Sequence, residues 1–246
     1  MTNPQKSGRI TLMTYTYKDL IFSTKKKFVA HLWEITGGLT TTGKMPCRSF
    51  DIPASRCKVG QKMRNVKGSI CSVCYALKGA YMFPDSKRKN EERYQKIFHP
   101  EWVDAMVALI PAVEKSGFFR FHSSGDLQGV WHLEKIVEIA IRLPEIKFWL
   151  PTREYNIVAE YLRQNQPKSW GGAMLRPNGF PRNLTVRLSG LMLDGKAPNE
   201  RQNPFGLPTS GAVAVGYNCP ADKQGNKCLD CRLCWDSTVH VNYKKH

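Results

Sequence analysis

"FFRFHSSGDLQGVWHLEKIVEIAIRLPEIKFWLPTRE", residues Phe118–Glu154, decides the fold. Phe118–Asp126 alternates like a strand and stops at glycine. Val130–Leu143 follows as an amphipathic helix, with Val130, Leu133, Ile136, Val137, Ala140 and Ile141 on one face. Glu145–Glu154 reads as a second strand. Beyond it come a second helix, "YNIVAEYLRQN", a third strand, "NLTVRLSG", and a fourth, "GAVAVG". Strand and helix in strict alternation imply parallel strands joined by right-handed crossovers. The expectation is an α/β fold, a single-domain partial (β/α) barrel over residues 1–246. Its βα core covers 118–216, flanked by a first cysteine loop at 45–79 and a cysteine-rich segment at 217–246.

Upstream, residues 83–117 read as two helices, the first capped by Asp85 or Ser86 and the second starting near Pro100. The first 45 residues read as short strands and turns. No stretch approaches the ~18 uninterrupted apolar residues of a membrane span. The N-terminus also lacks the apolar block and cleavage site of a secretory signal. A cytoplasmic protein with no membrane partner is expected, and in a reducing compartment cysteines serve metals or catalysis more often than disulfides.

Parallel α/β sheets bind ligands where strands end and helices begin. That places His122, Ser123, Ser124, Gly125 and Asp126 on one candidate rim, with Thr152, Arg153 and Glu154 one unit later and Arg187 and Ser189 after the third strand. Asp126, His122 and Arg153 are the candidate catalytic groups.

Eight cysteines fall into two groups of four. Cys228, Cys231 and Cys234 recur at every third position, and Cys219-Pro220 stands upstream. A short turn with that spacing wraps three corners of a four-iron cluster, whereas structural zinc takes two separated pairs. The other group is Cys47, Cys57, Cys71 and Cys74. A lone C-x-x-C can hold a metal, close a redox disulfide or simply pack. Its place before the first βα unit, with Tyr75 directly after it, suggests a second cluster held by Cys57, Cys71 and Cys74. Cys47 either closes that site or leaves one iron free.

The chain carries 37 Lys and Arg against 20 Asp and Glu, a formal charge of +17. Lys44, Arg48, Arg56, Lys58, Lys62, Arg64 and Lys67 face only Asp51 in the first cysteine loop. Such an imbalance repels itself unless phosphates neutralise it, so a nucleic acid or nucleotide partner is expected, contacted by Lys58, Lys62, Arg64 and Lys67.

"CSVCYALKGAY", "FRFHSSGDL", "EIKFWLPTRE" and the final "KCLDCRLC", in that order, resemble the phage and plasmid proteins of the gene product 88 family. The resemblance runs from about Met45 onward and implies a host-cell cytoplasmic setting but no settled activity. More distantly, the cysteine loop, "SGD" and alternating core are similar to radical SAM enzymes. That similarity implies a [4Fe-4S] cluster at the first group, beside the one expected at the second, with S-adenosylmethionine beside Tyr75, Ser124, Gly125, Asp126 and Thr152 and an external electron donor. The basic first loop fits a nucleic acid or nucleotide as its substrate. The spacing departs from that family, because Cys57 lies fourteen positions before Cys71. Two further readings stand beside this one. One is a nucleic-acid-binding protein with two fully ligated clusters and no catalysis. The other is a cluster-free hydrolase using Asp126, His122 and Glu154 around a divalent metal.

Overall fold

The computed structural model describes residues 14–165 and 179–245. A small hairpin, β1 (Tyr15–Tyr17) with β2 (Leu20–Phe22), leads into helix α1 (Lys25–Thr36). The expectation of only strands and turns here is corrected by that helix. Thr24 caps it by accepting from the Lys27 amide at 3.3 Å, and Gly37 ends it in the left-handed region at φ 76°. Three lysines in its first turn oppose the helix dipole and mask the buried stripe of Phe28, Leu32 and Ile35.

The main sheet comprises β3 (Thr40–Thr41), β4 (Arg48–Phe50), β5 (Phe118–Phe121), β6 (Lys147–Thr152), β7 (Leu184–Leu193), β8 (Thr209–Val213) and β9 (Val241–Lys244). These strands lie side by side in chain order. β3 and β4 are antiparallel, and every later pair is parallel. The α/β class with a mostly parallel sheet is as expected. The sheet stays open, with β3 and β9 as its two edges, and does not close into a barrel.

Between β4 and β5 run α2 (Lys58–Met63), α3 (Pro84–Lys96) and α4 (Trp102–Val113). Helix α5 (Val130–Arg142) joins β5 to β6, and α6 (Tyr155–Gln164) follows β6. At the start of α3 the cap is Phe83, not Asp85 or Ser86. Pro84 takes the first helical position, where its missing N–H costs nothing. Helices α1, α4, α5 and α6 pack in succession.

Alternation along each strand sorts the core into two faces. Phe119, Phe121, Phe148, Leu150, Leu184, Val186 and Leu188 pack with the helices, meeting Leu109, Leu133, Ile136 and Val158. The other face carries Phe118 and Trp149, and here Trp235 and Tyr243 of the cysteine-rich segment join Cys47 and Cys234 in a second cluster. Helices thus cover one face, and the C-terminal segment covers part of the other. Among the described residues no helix is long and apolar enough to cross a membrane.

Candidate metal and cofactor site

The loop after β4 returns to the carboxyl ends of the parallel strands, and three cysteines come with it. Cys57 stands at the N-terminal cap of α2. Gly60 is obligatory beneath it, because a Cβ there would lie 2.7 Å from that of Cys57. Glu154, just beyond β6, accepts from the Val59 amide at 2.8 Å and ties this turn to the sheet. Cys71 lies in a 3-10 turn, Ile70–Val73, and Cys74 ends it. Buried Ser69 sets that turn, accepting from the Ser72 amide at 3.0 Å and donating to the Met63 carbonyl at 2.6 Å. The Leu193 amide donates to the Gly68 carbonyl at 2.9 Å, stitching the turn to the end of β7.

The three thiols share one electrostatic environment. Burial pushes the Cys57 thiol up, and Asp126, Cys74, Cys71 and Glu154 push it further. Burial also raises Cys71; Arg153 and Arg64 oppose that shift, while Cys74 and Asp126 add to it. Tyr75 anchors its hydroxyl on the Ser123 carbonyl yet stays 56% exposed.

The polar turn after β5 is spent on the protein itself. Ser123 donates through its amide (2.6 Å) and its hydroxyl (2.5 Å) to the buried carboxylate of Asp51. Ser124 donates to the Ile52 carbonyl at 3.0 Å. At Gly125, φ is +87° and a Cβ would meet Ile52 Cγ1 at 2.2 Å, so only glycine fits. Asp126 is buried and accepts from Thr152 Oγ1 (2.6 Å), the Leu127 amide (2.8 Å) and the Arg153 amide (2.9 Å). Burial raises its pKa, and these bonds offset part of the rise. Arg153 anchors Nε on the Gly190 carbonyl at 3.0 Å.

His122 lies on the helix-covered side of the core, among Phe50, Phe121 and His132. It is 2% exposed, neither ring nitrogen has a partner, and burial lowers its pKa to about 3. Arg187 is buried on the opposite face. Its guanidinium donates to the carbonyls of Thr209 (3.0 Å), Val239 (2.7 Å), Leu233 (3.2 Å) and Asp236 (2.7 Å), clamping the C-terminal segment.

The second cysteine group lies within that segment. Cys219, Cys228, Cys231 and Cys234 line one cavity with Pro220, Ala221, Leu233, Trp235 and Val241. Burial pushes the Cys234 thiol up to about 11, and a hydrogen bond shared with the Tyr243 hydroxyl at 3.4 Å opposes that rise. Cys47 belongs to this neighbourhood: it precedes β4, packs with Trp149 and Trp235, and is pushed up to about 12 by burial, with Glu114 and Cys228 adding. The Cys228 amide donates to the Lys44 carbonyl at 2.8 Å, joining the two segments. Strand β4 therefore carries the chain from Cys47, at its start, toward the strand ends where Cys57 lies. Among the described residues no group of three or more His, Cys, Asp or Glu is placed to hold a metal ion.

Of the expected phosphate contacts, Lys62 and Lys67 are exposed. Lys58 is exposed too, but its ammonium donates to the Gln128 carbonyl at 2.8 Å. Arg64 is half-buried with Nε unpartnered. Sequence reasoning passed over Arg120, the one charged residue in "FFRF". Its guanidinium stacks 4.2 Å from the Trp149 ring and donates to the His122 carbonyl at 2.9 Å and to Tyr75 Oη at 3.5 Å. A cation in the middle of an aromatic strand was the available signal.

A family model described as "Gene product 88" matches residues 20–237. No curated protein and no solved structure matches.

Proposed function

The chain belongs to the gene product 88 family, and we propose that it is an iron–sulfur protein acting as a radical SAM-like enzyme on a nucleic acid or nucleotide. One observation carries this reading: Cys57, Cys71 and Cys74 gather at the strand ends, while Cys47 packs beside the C-terminal group. Three thiolates at the strand ends leave one iron of a cluster without a protein ligand. The C-terminal four would hold the second cluster. The spacing of Cys228, Cys231 and Cys234 after Cys219-Pro220 favours a four-iron cluster there over zinc, which takes two separated pairs.

When bound, a four-iron cluster with a free position supplies one-electron reduction of a small molecule held on that iron. The rest falls to this chain. Glu154 and Ser69 fix the turns that present the thiols. Arg153, tied back through Nε, presents its terminal nitrogens for a carboxylate or phosphate. Asp126 acts through Thr152 and the Arg153 amide, holding that arginine's backbone in place.

The same engagement of Asp126 favours a second reading, binding without turnover, because its two oxygens already serve three donors. Anaerobic preparation separates these. Iron and sulfide should correspond to two clusters. Cys57→Ala, Cys71→Ala and Cys74→Ala should each lose about half the iron, and Cys47→Ala should keep the iron at the strand ends. S-adenosylmethionine should perturb the reduced protein's electron paramagnetic resonance spectrum and yield 5′-deoxyadenosine. No response to it, with iron intact, selects binding alone. A colourless protein with stoichiometric zinc overturns both readings.

A further inference from the structure

The stretch from Lys62 to Phe83, which carries Cys71 and Cys74, combines exposed rings with exposed cations. Tyr75 is 56% exposed and Phe83 62%, and their chain neighbours Val73 and Met82 are also open. The turns carrying Tyr75 and Met82 pack on each other, and Tyr75 lies 5.7 Å from the Tyr81 ring. Lys62, Lys67 and Lys78 stand exposed on the same stretch. Nearby ion pairs are made by other residues, Arg56 with Glu91 and both Arg88 and Lys89 with Asp85.

We propose that this rim binds an unpaired nucleic-acid strand, with bases stacking on Tyr75 and Phe83 and phosphates meeting Lys62, Lys67 and Lys78. The proposal rests on the nucleic-acid part of the function above and assigns its substrate class. A basic surface alone would suit a duplex equally, because phosphate neutralisation ignores base pairing. The rings decide between the two. Bases inside a duplex stack on each other and offer no free face, whereas an unpaired base can lie on an aromatic ring. Tyr75 is also held ready. Its hydroxyl is fixed on the Ser123 carbonyl and beside Arg120, so the ring is ordered before a strand arrives and its face stays open.

The anaerobically prepared holoprotein should be titrated with labelled strands of about a dozen nucleotides. Deoxy and ribo forms, each with its matched duplex, are followed by fluorescence anisotropy over a salt series. Single strands should bind more tightly than either duplex. Phe83→Ala should weaken single-strand binding about 5- to 150-fold at unchanged salt slope, and Phe83→Trp should restore it. Lys62→Gln with Lys67→Gln should instead flatten the salt slope by ~0.7 for each lost contact. Phe98→Ala is the control: that ring is 54% exposed just past the far end of α3, about 20 Å away, and its loss should change nothing. Duplex binding as tight as single-strand binding overturns the proposal, and so does indifference to Phe83. Failure of the enzyme reading looks different: no response to S-adenosylmethionine, with the strand preference intact.

Discussion

His122 has the chemistry of a catalyst, yet its ring lies inside the core. Both ring nitrogens are buried and unpartnered, and His132, 5.3 Å away between ring centres, is equally buried. Burial holds His122 neutral, with its pKa lowered to about 3, and drives His132 well below its ordinary value. The unfolded chain binds these protons near pH 6.5 and the folded chain does not, so stability is complete above 6.5 and falls as pH drops toward 3. Each histidine contributes about 1.4 kcal/mol per pH unit in that window. His122→Leu sacrifices no hydrogen bond, so stability at pH 7 should hold or rise while the acid-side slope drops by about half. Urea midpoints between pH 7 and pH 4 measure both, and an unchanged slope would place the titration elsewhere. Cys47 teaches the same lesson about proximity. It stands ten positions before Cys57, yet it packs with Trp235 and Cys234. Counting cysteines identifies the thiols, and only the path of β4 between them shows which belong together.

The elements most legible in the sequence were those with a full period to display. Helices α5 and α6 and strands β5, β6 and β7 lie where alternation and the 3.6-residue stripe place them, because each buries one face against a continuous core. Strand β4 has three residues and β9 four, too few to show a pattern, and both exist because neighbouring strands pair with them. The fourth expected strand begins two residues earlier than read, at Thr209, where the ladder with β7 and not composition sets the start. Arg187 reads as a strand-end residue in one dimension, but alternation on β7 turns it to the face that receives the C-terminal segment. There its guanidinium donates to the carbonyls of Thr209, Val239, Leu233, Cys234 and Asp236. A lysine ammonium cannot span that fork. Arg187→Lys should therefore cost about 3 kcal/mol by denaturant unfolding, as buried carbonyls lose donors. On the proposed two-cluster reading, partial denaturation should release iron from the C-terminal group before the group at the strand ends. Release of both together would mean the segment is not held by this clamp.

Arg120 ties these parts into one electrostatic unit. It projects from β5 onto the face shared with Trp149, and it meets Tyr75, the neighbour of Cys74, on one side. On the other side its charge is felt by Cys47, Cys228 and Cys234. Burial works against that charge, yet Tyr75, Tyr243, Asp51 and Cys234 together hold it on. A half-buried cation facing neutral thiols is a cost, and an apolar replacement of similar length is often neutral or stabilising. The balance reverses once the thiols carry clusters, because a four-iron cluster with four thiolates bears about −2 and one with three about −1. With both proposed clusters bound, the same accounting would absorb a small part of the formal +17. Arg120→Met should thus leave the metal-free protein as stable as before, or more so, while lowering iron retention in both cysteine groups. Thermal unfolding of the metal-free chain and iron counts after anaerobic desalting read the two effects separately. Loss from the C-terminal group alone would confine Arg120 to that site, and a destabilised metal-free chain would make it a structural cation.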